Sequence, residues 1–134
     1  KLSNVRFLDR RPMDEVGQVL DWADVLLVHL KDDPLFRITI PSKTQAYLAL
    51  GKPILMAVRG DAKELIEDSG AGVCCSPEDP KALAEAVVSL YQMPKETLEE
   101  MGRKGQNFYQ KYLSLEVGVT RFIDVFERTL GGKS

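Results

Sequence analysis

Ile40-Pro41-Ser42-Lys43-Thr44-Gln45-Ala46-Tyr47-Leu48-Ala49-Leu50-Gly51-Lys52-Pro53-Ile54-Leu55-Met56-Ala57-Val58 decides how the rest of the chain is read. Ser42 followed by Gln45 has the spacing of a capping box, which predicts a helix beginning at Ser42. Gly51 suits the left-handed residue just past the helix end, and Pro53 prevents continuation. Ile54 to Val58 is an unbroken apolar run, the pattern of a buried strand. Lys43 fits this picture poorly, because a cation in the first turn of a helix opposes the macrodipole. An anion bound there would be held by the free amides of the turn and by Lys43 together. A solvated lysine on an ordinary helix is the plainer alternative. The anion site explains the position of Lys43 and is the preferred reading.

The totals narrow the classes of function. A chain of 134 residues with 44% hydrophobic and 28% charged residues has the composition of one globular domain at most, large enough to bury a core. Eighteen basic against twenty acidic residues give a net charge of −2. With no basic excess to neutralise phosphates along a duplex, a nucleic-acid binder is not expected. The two cysteines are adjacent, Cys74 and Cys75, so they face opposite sides of a strand. Neither a disulfide framework nor a metal site is indicated, and a cytoplasmic place is expected. No signal peptide is expected, and the sequence holds no apolar run of ~18 residues. It begins at Lys1 and enters an apolar run within a few residues, so it is expected to be a piece of something longer.

Outward from the opening stretch, strands and helices alternate. Val5 to Leu8 is expected as a short strand, and Met13 to Trp22 as a helix with Asp14 and Glu15 in its first turn. Asp24 to Val28 has the continuous apolar character of a parallel strand buried on both faces. His29 to Thr39 is a loop longer than plain connection needs, with Asp32, Asp33, Pro34 and Arg37. After the Ile54 strand, Asp61 is expected to cap a helix running to about Ser69, and Val73 to Cys75 to form a short strand. Asp79 and Pro80 open a further helix, with Leu83, Ala84, Val87, Val88 and Tyr91 on one face. A long helix from Pro94 to about Leu113 contains Gly102 and Gly105. A last helix spans about Leu115 to Leu130, and Gly131, Gly132 and two polar residues end the chain. Trp22, Phe108, Tyr109 and Tyr112, at helical spacing, are expected in the core. Four strands alternating with helices imply an α/β fold, a Rossmann-like parallel sheet with helices on both faces. In such sheets ligands sit beyond the carboxyl ends of the strands. The start of the Ser42 helix and the loop after Val28 both fall at that edge.

Pro41-Ser42-Lys43, Tyr47-Leu48-Ala49, Gly51-Lys52-Pro53, Asp61, Ala71-Gly72, Pro77-Glu78-Asp79-Pro80 and Leu83-Ala84 with Ala86, taken in this order, resemble the C-terminal half of family-4 glycosyltransferases. The likeness covers nearly the whole chain and is closest to bacterial polysaccharide enzymes of the WbuB type, related to transfer of N-acetylfucosamine. It implies the later part of the donor-binding domain of a GT-B fold, in which two Rossmann-like domains enclose the active site. Residues 115–130 resemble the helix that crosses back to the other domain. The apolar face of that helix, bare in a partial domain, predicts self-association. The implied ligand is a nucleotide-diphosphate sugar, with UDP as the nucleotide, and a polysaccharide or lipid-linked acceptor would meet the missing N-terminal part. The implied reaction is retaining transfer of a hexosyl-type sugar in cell-surface polysaccharide synthesis, in the cytoplasm or peripherally at the inner face of the membrane. The isolated chain is expected to be inactive.

Carried over residue by residue, Ser42, Lys43 and Thr44 would face the donor phosphates. Many members hold the ribose with a glutamate a few residues before the glycine that ends the helix, and a partner glutamate lies eight positions earlier. Those slots are Ala46 and Ile38 here, both apolar. Either Gln45 takes over the ribose or the ribose is held elsewhere. Arg37, Asp33 and its neighbour Asp32 are the polar candidates near the donor sugar. The resemblance implies no bound metal and no cofactor, and no residue is assigned as catalytic. His29 is expected to be a structural histidine at a strand end. Arg10 and Arg11 are weak evidence for a phosphate or anionic-membrane contact. The alternative class is a stand-alone Rossmann-like binding or regulatory module, such as a receiver-like domain. His29 stands where a receiver would need its phosphorylatable Asp. An epimerase-like binding domain is disfavoured by the absence of a complete glycine-rich fingerprint.

Overall fold

The computed structural model describes residues 2–131. The short tail expected after the last helix, residues 132–134, lies outside the described residues. Three strands, β1 (Leu26–His29), β2 (Ile54–Ala57) and β3 (Gly72–Cys74), form one sheet in the order β1-β2-β3. Both pairings are parallel, with Leu26 opposite Ile54 and Ile54 opposite Gly72. The connections are helical, as parallel strands require. The short α2 (Pro34–Arg37) and then α3 (Ser42–Leu50) lead from β1 to β2, and α4 (Asp61–Ser69) leads from β2 to β3. The chain continues through α5 (Pro80–Gln92), α6 (Lys95–Phe108), a π turn (Tyr109–Leu113) and α7 (Leu115–Gly131).

The unbroken apolar run of β2 is what a strand with neighbours on both sides and both faces needs, and all four of its residues are buried. On one face Val28, Ile54 and Met56 pack with Leu48 of α3, Ala62 and Ile66 of α4, and Tyr109 and Leu113 of the π turn. On the other, Leu55 packs with Ala86 and Leu90 of α5 and with Leu98 and Met101 of α6. Helices thus lie on both faces, the expected α/β layering. The second layer is incomplete over β1: Leu27 is 47% exposed and borders an apolar cavity of about 550 Å³ with Leu55, Val87, Leu90 and Tyr91.

Gly102 and Gly105 have a packing reason. A Cβ on Gly102 would stand 1.9 Å from the carbonyl oxygen of Gly51, and one on Gly105 would meet Ala71 and Leu48. The pair lets α6 lie directly on the end of α3, where Gln106 also donates to the carbonyl of Ala49 at 3.1 Å. Gly51 adopts the left-handed conformation expected past the end of α3, with φ of 69°.

Several expectations are corrected. Val5 to Leu8 forms no strand, and Phe7 is 96% exposed. A strand is stable only beside another, and none among the described residues pairs with this segment. Trp22, 80% exposed, and Tyr112 are outside the core. The helix α1 (Met13–Asp21) that precedes Trp22 buries none of its residues fully, and its stripe residues Val16, Val19 and Leu20 are only half-buried. Its C-terminal end is tied down instead by Lys52, whose Nζ donates to the Asp21 carbonyl at 2.8 Å, a cation where the helix dipole favours one. Phe108 is half-buried, and Tyr109 packs against the core. Ser42 is not the N-cap of α3: Pro41 holds that position in an extended conformation, and no side chain caps the helix. Likewise Gly60, not Asp61, precedes α4. Asp79 does cap α5, its Oδ1 accepting from the Ala82 amide at 2.9 Å with Pro80 at the first helical position. The long helix expected from Pro94 changes to a π turn after Phe108. The last helix leaves a bare apolar face that includes Val119, Phe122, Ile123 and Phe126, all roughly half exposed or more.

Candidate functional site

At the carboxyl edge of the sheet three loops meet. The loop after β1 carries Asp32 and Asp33. Asp33 Oδ1 accepts from the Leu35 amide at 2.8 Å, which caps α2 and turns the chain toward α3. The loop after β2 carries Arg59 and Gly60, and the loop after β3 carries Glu78, whose φ of 56° is left-handed. Gly60 lies directly against the carbonyl of Arg37, which brings the second loop onto the first.

The side chains join these loops. Asp32 accepts from Arg37 Nε at 3.1 Å and Nη2 at 3.0 Å, and from Arg59 Nε at 3.1 Å. The Asp32 amide donates to Glu78 Oε2 at 2.9 Å. Of these residues only Arg37 and Asp32 were candidates from sequence. Arg59 and Glu78 were missed, because partners 27 and 46 residues away leave no local pattern. The left-handed Glu78 had no signal either, since it is neither Gly nor Asn.

The first turn of α3 follows this knot by a few residues. The Thr44 amide donates to the Pro41 carbonyl at 2.9 Å. The amides of Ser42 and Lys43 find no acceptor among the described residues, as expected of orphan groups at a helix start. Lys43 is exposed and makes no ion pair among the described residues. Thr44 is fully buried, and its hydroxyl reaches no partner among the described residues. Gln45 and Ala46 are exposed on the outer side of the turn, and Ile38 is 73% exposed. His29 ends β1 opposite Ala57 and is exposed.

A polar hollow of about 210 Å³ opens beyond β2 and β3, lined by Arg59, Lys63, Glu67, Cys74, Cys75 and Ser76. Burial pushes the Cys74 thiol up to about 11, and the carboxylate of Glu67 adds to the effect. Burial also raises Cys75, seconded by Asp79. Both cysteines are free, and both stay protonated thiols near neutral pH. No group of three or more His, Cys, Asp or Glu side chains that could hold a metal ion occurs among the described residues. Within the same range no helix is long and apolar enough to cross a membrane.

Comparisons with known proteins bear on this edge. The family described as "Glycosyl transferases group 1" matches residues 1–93, which includes all three strands and the first turn of α3. A protein of Pseudomonas aeruginosa described as "Probable glycosyltransferase WbjE" is 32% identical over 117 residues, 85% of this chain and 29% of that protein. Among solved structures, sucrose-phosphate synthase from Thermosynechococcus elongatus superposes with a TM-score of 0.69 at 17% identity. That match covers 83% of this chain and 26% of the synthase chain, and it shows the fold. The chain thus spans between a quarter and a third of the length of these two proteins. The receiver-like and epimerase-like alternatives are set aside. With a parallel sheet covered by helices on both faces and a family match over most of its length, this chain belongs to the group 1 glycosyltransferases.

Proposed function

We propose that this chain supplies the donor side of a retaining, hexosyl-type glycosyltransferase. It would bind a nucleotide-diphosphate sugar, a UDP-sugar foremost, for transfer to a polysaccharide or lipid-linked acceptor in cell-surface polysaccharide synthesis. The observation that carries this reading is the first turn of α3, where the unpartnered amides of Ser42 and Lys43 and an exposed ammonium meet at the carboxyl edge of the sheet. When the glycosidic bond to the donor phosphate breaks, negative charge develops on the departing nucleoside diphosphate. A helix N-terminus and a lysine aimed at that charge lower the barrier without reorganising. Thr44 belongs to the same turn and holds it from beneath, as a buried side chain. Gln45 and Asp33 are the groups nearest in sequence that could meet the ribose, and Arg37 could reach the transferred sugar and the phosphate beside it.

The acceptor would bind through a part of the protein outside this chain. The bare apolar face of α7 favours self-association of the chain by itself. Sedimentation that becomes monomeric on Phe126→Ser would support this, and a monomer at every concentration of the unmodified chain would refute it. Two free cysteines fit a reducing compartment, hence the cytoplasm or the inner face of the membrane. The donor reading is tested by Lys43→Ala in the full-length enzyme. Loss of one charge-assisted contact to phosphate predicts a fall of about tenfold or more in kcat/KM for the donor. Unchanged donor kinetics would reduce Lys43 to a surface lysine.

A further inference from the structure

Beyond the first turn of α3, the polar groups of the carboxyl edge converge on Asp32. Its carboxylate is one-quarter exposed and takes three N–H groups, two from Arg37 and one from Arg59. A guanidinium carries five N–H donors in a rigid fork. Three on Arg37 and four on Arg59 are therefore not taken by Asp32, and both side chains are half exposed. Glu78 is the other acidic group of the cluster, and its carboxylate accepts from the Asp32 amide. A carboxylate shared by two half-exposed arginines removes much of their rotamer freedom, so less is lost when the outer N–H groups bind something.

We propose that Asp32 is a positioning residue of the donor site, holding Arg37 and Arg59 so that their outer N–H groups meet the phosphate oxygens of a bound nucleoside diphosphate. This rests on the donor-site reading above. It also gives Asp32 an unusual sign. As a negative charge near an anion site, Asp32 by its field alone would weaken binding, so neutralising it would tighten binding. As a positioning residue it strengthens binding, so neutralising it weakens it.

The test is calorimetric titration of the full-length protein with UDP against uridine, and with GDP against guanosine, for the unmodified protein, Asp32→Asn and Arg59→Gln. The ratio of diphosphate to nucleoside affinity isolates the phosphate contribution. Asp32→Asn is expected to lower that ratio about tenfold, the scale of one charge-assisted hydrogen bond, with nucleoside affinity unchanged. Arg59→Gln should do the same, and it decides the matter if Asp32→Asn fails to fold. An unchanged or increased ratio in either variant overturns the proposal. An equal loss of diphosphate and nucleoside binding, with a lowered Tm, assigns Asp32 a structural role and overturns it as well. If the unmodified protein shows no preference for either diphosphate, the donor-site reading itself fails and this inference falls with it.

Discussion

Gly60 sits so close to Arg37 that a Cβ built on it would stand 1.9 Å from the Arg37 carbonyl oxygen, and its φ is +81°. The loops after β1 and β2 can therefore touch only if this residue lacks a side chain and adopts a left-handed conformation. Gly60→Ala violates both conditions at once. It is expected to destabilise the fold by roughly 1–3 kcal/mol, as overpacking against backbone does, read as a lower urea midpoint. Because the displaced loop carries Arg59, donor affinity should fall even in conditions where the variant stays folded.

The two aspartates once expected to cap helices make contrasting predictions. Asp79 accepts from the Ala82 amide, so Asp79→Ala should cost about 1 kcal/mol of stability. Asp61 follows the N-cap Gly60 and makes no capping bond. It contributes only charge at a helix N-terminus, so Asp61→Ala should cost a few tenths of a kcal/mol, about 0.3–1 at low salt. Thermal melts of the two variants side by side should reproduce this order.

Cys74 makes stability depend on alkaline pH. The ordinary thiol value is 9.0, and in the folded chain it is about 11. Above pH 9 the unfolded chain releases this proton while the folded chain still holds it. Stability should therefore decline as pH rises from about 9 to about 11 and be insensitive to this group below that window. The measurable signs are a Tm that falls faster across this window in the unmodified chain than in Cys74→Ala, and slow alkylation of Cys74 at pH 7.5 relative to a free thiol.

How far these features could be read from the sequence depends on the range of the interaction. The β2 run, the left-handed Gly51 and the Asp79-Pro80 start all express themselves within a few residues, and each was legible. The start of α3 at Ser42 was legible, but its cap was not: Pro41, in an extended conformation, holds the N-cap position and no side chain caps the helix. Val5 to Leu8 has the composition of a strand, but strand formation depends on a neighbour rather than on composition. The packing role of Gly102 and Gly105 left no local signal, because nothing near them in sequence tells that α6 must lie on the end of α3. The start of α3 at the sheet edge was read from the motif and the alternation of elements. The clasp of Asp32 with Arg59 and Glu78 was not, since it joins loops that meet only when three strands align.

The central claim is that the first turn of α3 receives the phosphates of the donor. The most direct measurement is an NMR titration of the isotope-labelled chain with UDP, following the backbone amides. The account predicts that the resonances of Ser42 to Gln45, led by the orphan amides of Ser42 and Lys43, shift before those of any other segment. A spectrum unchanged at millimolar UDP, or shifts confined to the far face of the sheet around Leu27 and Tyr91, would contradict it.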